Sequence, residues 1–422
     1  MALRETSNLE FKENVSRTFL KTVSAYANYG TGRIVFGIDD EGTCIGLEDP
    51  VGSCLQIESM INDSIEPVPR YSLAVDDKSR TVELTVFEGL DKPYTCKGKA
   101  YKRNDSATIE VDRLEYGRLV LEGSNQTFDE IPAKQQSLEL TVLEQKMQER
   151  LGVGILDADV LKTLELLTAD GRYTNAAAIL ADKNGFGGVD IVRFGADENA
   201  IHNRKTLAGI SALLQFDGAV EMFDTYYRYE KITDTQRKEI ETVPAEAFRE
   251  ALANAIVHRT WDIDAHVTIG MHPDRIEVAS PGSLPAGLTQ DEYLRGRVSV
   301  LRNPILANVF FRLGYIEKFG TGITRIKNAY KNSPRTPRFE VREASVMVVL
   351  PLAEKTSDLD ADEQMVLDAF ASRRSLTRLE VETQTGLSKS RAIRILNKLM
   401  DKGLIEKNGE GRGTRYAKQE NF

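Results

Sequence analysis

Residues 378–405 read RLEVETQTGLSKSRAIRILNKLMDKGLI. Within this stretch a short helix around Val381 is followed by the turn Thr385-Gly386-Leu387, and Ser388 is suited to cap a second helix. In that second helix Ala392, Ile393, Leu396 and Leu399 recur at i, i+1, i+4 and i+7, which predicts an apolar stripe turned to a core. The opposite face offers Lys389, Ser390, Arg391, Arg394 and Lys398. Gly403 is expected to end the helix, Leu404-Ile405 to start a strand, and NGEGRGTRYA (408–417) to form a Gly-rich hairpin bearing Arg412 and Arg415. Upstream, DLDADEQMVLDAF (358–370) predicts a further helix with Met365, Val366, Ala369 and Phe370 on one face. Three helices and a two-stranded wing make a winged helix-turn-helix. Polar residues at the start of its recognition helix would meet base edges, and its basic residues would meet phosphates. Ser388, Lys389, Ser390, Arg391 and Arg394 are the expected major-groove residues, and double-stranded DNA the expected partner. The same fold also serves as a protein–protein adaptor, the plainer alternative.

Working outward, charge favours DNA. The chain of 422 residues has a net charge of −9, yet from Ser372 onward twelve Lys and Arg stand against six Asp and Glu. The tail therefore carries +6 and the remainder −15, an asymmetry that marks a separate unit with an anionic partner. Apolar residues at 41% and charged ones at 28% describe a globular protein of several domains. No apolar run approaches the roughly 18–20 residues of a membrane span. The opening MALRETSNLEFKENVSR lacks the apolar core of a signal peptide. Cys44, Cys54 and Cys96, odd in number and without metal-type spacing, read as reduced packing residues of a cytoplasmic protein.

The C-terminal pattern resembles the winged-helix modules of MarR-like regulators over about sixty residues. At the other end, residues 4–49 predict a strand, a helix over Val15–Asn28 burying Phe19, Leu20, Val23 and Ala27, a strand at Arg33–Ile38, a turn at Asp40-Glu41-Gly42 and a return at Cys44–Leu47. Val82–Phe87 and KGKAYKRNDSATIEV (97–111) supply later strands. ETSNLEFK (5–12), VSAYAN (23–28), IVFGIDD (34–40) and Tyr101-Lys102-Arg103 together resemble the Schlafen-type AlbA domain. That resemblance implies nucleic-acid binding, for which Lys12, Lys97, Lys99, Lys102 and Arg103 are the local cations. For some members it also implies RNA cleavage by a carboxylate trio, which aligns here with Glu5, Glu10 and Asp40. Three convergent carboxylates would hold Mg²⁺ or Mn²⁺ and activate a water. The structural alternative makes Glu10 and Lys12 a surface pair and Asp39-Asp40 turn residues. Gly30-Thr31-Gly32-Arg33 lacks the Lys-Ser/Thr of a P-loop, so an ATPase of that type is rejected.

Between these ends, Pro132–Glu149 reads as a polar helical connector. From Leu156 helices and strands alternate, with a long helix expected from Leu207 to about Tyr229. Pro244–Arg259 predicts an amphipathic helix burying Phe248, Ala251, Leu252 and Ala255, with Glu250 and Asn254 one turn apart. This helix, RIEVASPG (275–282), Arg302-Asn303-Pro304 and GYIEKFGTGI (314–323) resemble the GHKL-like ATPase domain of RecG-related transcriptional regulators. The resemblance implies that Asn254 ligates the Mg²⁺ of bound ATP and that Glu250 polarises the attacking water. It also implies that Gly320, Thr321 and Gly322 approach the phosphates. His258, His266 and His272 follow no ligand rhythm and read as structural, with His258 and Arg259 near the phosphates as the alternative. Ser280 and Gly282 stand where the resembled enzymes read adenine with an Asp-x-Gly box. The serine departs from that pattern, and its hydroxyl is a weaker acceptor than a carboxylate. A degenerate fold kept for dimerisation or packing is the alternative.

The sequence thus predicts an α+β multidomain protein. Its parts are an AlbA/Schlafen-like α/β domain (1–125), a connector (126–150), a GHKL-like α/β sandwich (151–352), a linker (353–362) and a winged helix-turn-helix (363–422). The leading expectation is a homodimeric, DNA-binding transcriptional regulator with a nucleotide-sensing middle domain, ATP and Mg²⁺ being the expected cofactors. A metal-dependent ribonuclease acting through Glu5, Glu10 and Asp40, with RNA as partner, is the competing one.

Overall fold

The computed structural model describes residues 4–195, 198–233, 236–285, 287–296, 300–317, 321–342, 344–353, 361–370, 375–401, 404–409 and 414–418. The chain divides into two compact units, Met1–Ile131 and Pro132–Phe422, and is an α+β protein of several domains.

In the first unit, strand Leu9–Lys12 runs parallel to Gly32–Phe36, which pairs antiparallel with Thr81–Val86, and that in turn with Tyr71–Asp76. Helix Phe19–Tyr29 buries Phe19, Leu20, Val23 and Ala27 as the periodicity predicts, though it begins four residues later than Val15. The return at Cys44–Leu47 does not become a strand. Asp39 Oδ1 accepts from the backbone N–H groups of Glu41 and Thr43 at 3.0 and 2.7 Å, which closes a local turn, and Cys44 keeps one bridge to Ile38. Cys44 is exposed, so it is not a packing residue, whereas Cys96 is buried. Helix Pro50–Ser64 escaped the sequence reading because only Ile57 and Ile61 are buried along its fifteen residues; its start signal is Asp49, whose side chain caps it, followed by Pro50. Strands Tyr101–Asn104 and Ala107–Glu110 form a hairpin beside the first helix.

The second unit opens with residues that are more than a connector. Helix Thr141–Leu151 buries Leu143 and Met147, Lys146 pairs with Asp217 at 2.8 Å, and the Arg150 guanidinium lies 4.2 Å above the ring of Tyr315. A six-stranded mixed sheet follows in the order Ile201–Leu207, Val189–Phe194, Val267–Met271, Arg275–Pro281, Ser345–Pro351, Arg338–Val341. Helices Ala212–Tyr227 and Ala245–Val257 pack on the sheet and on each other, with Phe223 and Phe248 stacked at 4.4 Å. The long helix starts at Ala212 rather than Leu207, because Leu207 ends a strand paired with Val189–Phe194.

At the C-terminal end, helices Ala361–Ala369, Arg378–Thr385 and Lys389–Asp401 enclose a core of Val366, Phe370, Val381, Ile395, Leu396 and Leu399. Strands Ile405–Asn408 and Arg415–Lys418 form the wing, and Ser375–Leu376 pairs with the latter. A Thr377–Glu380 capping box starts the middle helix. The apolar stripe differs from the expected one at two positions. Ile395 is buried in place of Ile393, giving i, i+3, i+4, i+7 from Ala392, and Met365 faces outward while Leu367 is buried. Gly403 lies outside the described residues.

Candidate functional site

The helix Ala245–Val257 brings the predicted middle-domain residues together. Asn254 Nδ2 donates to Glu250 Oε1 at 3.2 Å, as their one-turn spacing requires. Gly322 opens helix Gly322–Ala329 directly against them. A Cβ there would stand 2.5 Å from Glu250 Oε1 and 2.7 Å from Asn254 Nδ2, so a larger residue would have to push the ends of those two side chains aside. Asn254, His258, Ser280, Gly282 and Gly322 line one cavity of about 120 Å³ whose walls include Val278, Leu288, Ile323, Val346 and Val348. Thr321 is the exposed residue at the start of the same helix, and Gly320 lies outside the described residues. The cavity is apolar with a few convergent polar groups, as small-molecule sites are.

Burial raises the Glu250 carboxyl above its usual 4.5, opposed by Arg325. Arg325 was absent from the sequence reading. Its Nε is 3.9 Å from Glu250, while its other nitrogens reach Glu317 at 3.0 Å and Glu246 at 3.2 Å. The signal that could have found it is its place one turn after Gly322, on a helix that must face Glu250. Burial, with the Arg302 charge, pushes the His258 imidazole down to about 4 and leaves it neutral near pH 7. The Ser280 hydroxyl donates to Ala255 O at 2.8 Å.

Arg259 corrects an expectation. It is fully buried, donates to the carbonyls of Gly187, Gly188 and Ala265, and lies over Trp261, so it braces the fold and cannot reach a phosphate. Arg302 and Asn303 are braces as well. Arg302 holds Thr260 and Ser283 O, and Asn303 Nδ2 holds the carbonyls of Val257 and Arg259 at 2.7 and 3.0 Å. Gly282, at φ +107°, lets Thr260 pass where a Cβ would meet its Oγ1 at 1.9 Å.

On the recognition helix, Lys389, Ser390, Arg391, Arg394 and Lys398 are all exposed, and Ser388 Oγ lies 3.4 Å from Ser390 Oγ. Two of these cations are already paired. Arg391 bonds Asp362, and Lys398 lies 3.5 Å from the buried Glu363. Asp362, Glu363 and Asp368 belong to this domain's first helix, so its cation surplus is three rather than the six counted from Ser372. Arg415 is drawn back from the wing to Ser375 and Glu380. Arg412 lies outside the described residues.

In the first unit, Glu10 is buried and saturated. Its Oε1 takes Lys12 Nζ at 2.7 Å, and its Oε2 takes Thr22 Oγ1 at 2.8 Å and Arg103. Glu5 accepts the Phe11 N–H at 2.9 Å, and Asp40 sits exposed in the turn. Among the described residues no group of three or more His, Cys, Asp and Glu side chains is arranged to hold a metal, so Glu5, Glu10 and Asp40 are not gathered as one. Two compact carboxylate–guanidinium arrangements thus lie on separate units, and the second adjoins Asn254 and Gly322, which line the cavity.

These folds and sites define a multidomain protein combining an AlbA-type domain, an ATPase-like domain and a helix-turn-helix. Family comparisons agree segment by segment. Residues 5–112 match the model described as "Schlafen, AlbA_2", residues 264–350 "Putative ATP-dependent DNA helicase recG C-terminal", and residues 365–409 "IclR helix-turn-helix domain". The last replaces the MarR-like resemblance with a different winged-helix class. No curated protein matches the chain. Among solved structures, the DIP2311 protein from Corynebacterium diphtheriae is similar in fold at a TM-score of 0.50 and 20% identity, covering 98% of this chain and 92% of that one. Among the described residues no helix is long and apolar enough to cross a membrane.

Proposed function

We propose that this protein is a DNA-binding transcriptional regulator whose middle domain senses a nucleotide. The observation that carries the reading is the helix Lys389–Asp401, which buries Ala392, Ile395, Leu396 and Leu399 and turns a cationic, hydroxyl-bearing face to solvent. That face has the length and chemistry of an element that enters a major groove. A homodimer reading two half-sites is the form in which such helices act.

The test is fluorescence anisotropy of the full chain on genomic duplexes at several salt concentrations. Binding should weaken steeply with salt, and Arg394→Ala should lower the log–log salt slope by about one. Salt-insensitive or absent duplex affinity overturns the DNA reading. The nucleotide reading rests on the cavity that joins Asn254, Ser280 and Gly322. Asn254 would hold the Mg²⁺ of bound ATP, Gly322 and Thr321 would admit its phosphates, and Glu250 would orient water. Calorimetric titration with Mg-ATP should give heat in the wild type and none in Asn254→Ala; no heat from wild type overturns it.

A further inference from the structure

The recognition helix Lys389–Asp401 carries one apolar side chain that its domain's core does not claim. Ala392, Ile395, Leu396 and Leu399 are buried, and Met400 packs against the same core. Ile393, which the sequence periodicity would turn inward, is instead 38% exposed. The two flanks of the helix differ. Arg391 bonds Asp362, and Lys398 lies 3.5 Å from Glu363, so their flank faces the acidic start of helix Ala361–Ala369. Ile393 is two residues beyond Arg391, which at about 100° per residue sets it roughly 160° around the axis, on the other flank. Its neighbours one turn away, Lys389 and Asn397, and the adjoining Arg394 are exposed. None of these three has a side-chain hydrogen bond or ion pair among the described residues.

We infer that Ile393 is a specificity-determining residue that packs against the 5-methyl group of a thymine in the major groove. The inference rests on the DNA reading above and adds to it a base and the side chain that reads it.

The neighbours of Ile393 select its partner. A protein-docking patch presents contiguous apolar area, whereas this is one branched side chain set among two cations and an amide on its own helix. The major groove offers the matching pattern. Thymine places an isolated methyl there, beside hydrogen-bonding base edges and below two rows of phosphates. Lys389 and Arg394 can therefore meet phosphates or acceptors while Ile393 meets the methyl, in one docking geometry. Adenine, guanine and cytosine carry no methyl in that groove, so the contact discriminates between bases, which a phosphate contact does not. Its driving force is the removal of two apolar surfaces from water. It should accordingly be insensitive to salt, unlike the contribution of the surrounding cations.

The experiment is anisotropy of the full chain on the tightest duplex it recovers from genomic DNA, and on a copy with deoxyuridine in place of every thymidine. The copy lacks the methyl groups alone. Wild type should bind it roughly fourfold more weakly for each half-site, the effect of one buried methyl. Ile393→Ala should weaken binding to the thymidine duplex by at least that factor and should bind the deoxyuridine copy no more weakly still. Ile393→Val, which keeps two methyl groups, should retain most of the affinity and of the preference for thymidine. Both variants should keep the wild-type salt slope, since neither removes a phosphate contact. Equal deoxyuridine penalties in wild type and Ile393→Ala overturn the inference, because the methyls would then be read elsewhere. So does a wild type that binds both duplexes alike; the DNA reading survives either result. A wild type that recovers no duplex overturns both.

Discussion

Glu10 and Glu250 are both carboxylates nearly sealed from water, each beside an arginine, each in a stretch whose family resemblance implies catalysis. Their surroundings differ. Glu10 receives Lys12, Arg103 and the Thr22 hydroxyl, and the Arg103 side chain is itself buried. Both oxygens are bonded, and two cations face the one charge. Glu250 has one amide donor, Asn254, and one guanidinium at 3.9 Å that divides itself among three carboxylates. Its charge is undercompensated, and it stands beside a cavity. Burial alone therefore does not mark a chemical group. What separates brace from site is whether the buried charge has been fully paired.

The contrast breaks first at Arg103. Arg103→Ala would strand Glu10 with Lys12 alone, and losing one partner of a buried pair costs about 3–5 kcal/mol, with Lys12 favouring the lower figure. Hydrogen exchange on the full chain should show faster exchange throughout Leu9–Lys12 and Tyr101–Glu110; unchanged protection there would mean Glu10 is no brace. Next is Gly322→Ala, which places a methyl against Glu250 and Asn254. Mg-ATP affinity should fall by roughly tenfold or more, since a displacement of about 1 Å in a positioned group has costs of that order. An alanine variant that binds normally would remove the cavity from the nucleotide reading.

A pH series sharpens the same comparison without disrupting either site. Because burial raises Glu250 in the folded state, the folded protein holds that proton more tightly than the unfolded chain. Ionised Glu250 thus costs stability above its raised value, and the cost disappears as pH falls toward the usual 4.5. Glu250→Gln should accordingly melt higher than wild type at pH 8, and the two should converge near pH 4.5. A gain that persists unchanged into acid would assign the effect to packing instead.

Much of this was legible in sequence, for reasons the two carboxylates illustrate. Helix periodicity placed Phe248, Ala251, Leu252 and Ala255 inward and so put Glu250 and Asn254 on a shared face, because a 3.6-residue repeat is a local property. Pairing with Arg325, 75 positions along from Glu250, is long-range, and no local pattern announces it. Glu10 failed for the same reason, since Arg103 arrives on a hairpin from 93 residues away. Arg259 was misplaced because its charge suggested phosphate, whereas three backbone carbonyls and an indole face claim it. Ile393 exchanged places with Ile395 because both are isoleucines two residues apart, and only packing on Val366 and Phe370 selects the inward one.

Arg391 and Asp362 supply the third carboxylate–guanidinium pair and the smallest effect. This pair is on the surface, with the Arg391 side chain about half exposed, so its own worth is at most about 1 kcal/mol. A weak pair is exchangeable. Arg391 can leave Asp362 for a phosphate or a guanine edge at little cost, whereas Arg103 cannot leave Glu10. Asp362→Asn should tighten duplex binding by about two- to fivefold at low salt, consistent with that ceiling, and the gain should shrink as salt rises. In an Arg391→Ala background the same substitution should add almost nothing, because the cation it frees is gone. Were the gain equal in both backgrounds, Asp362 would act by long-range repulsion of the DNA, and the pairing seen between the two side chains would have no part in recognition.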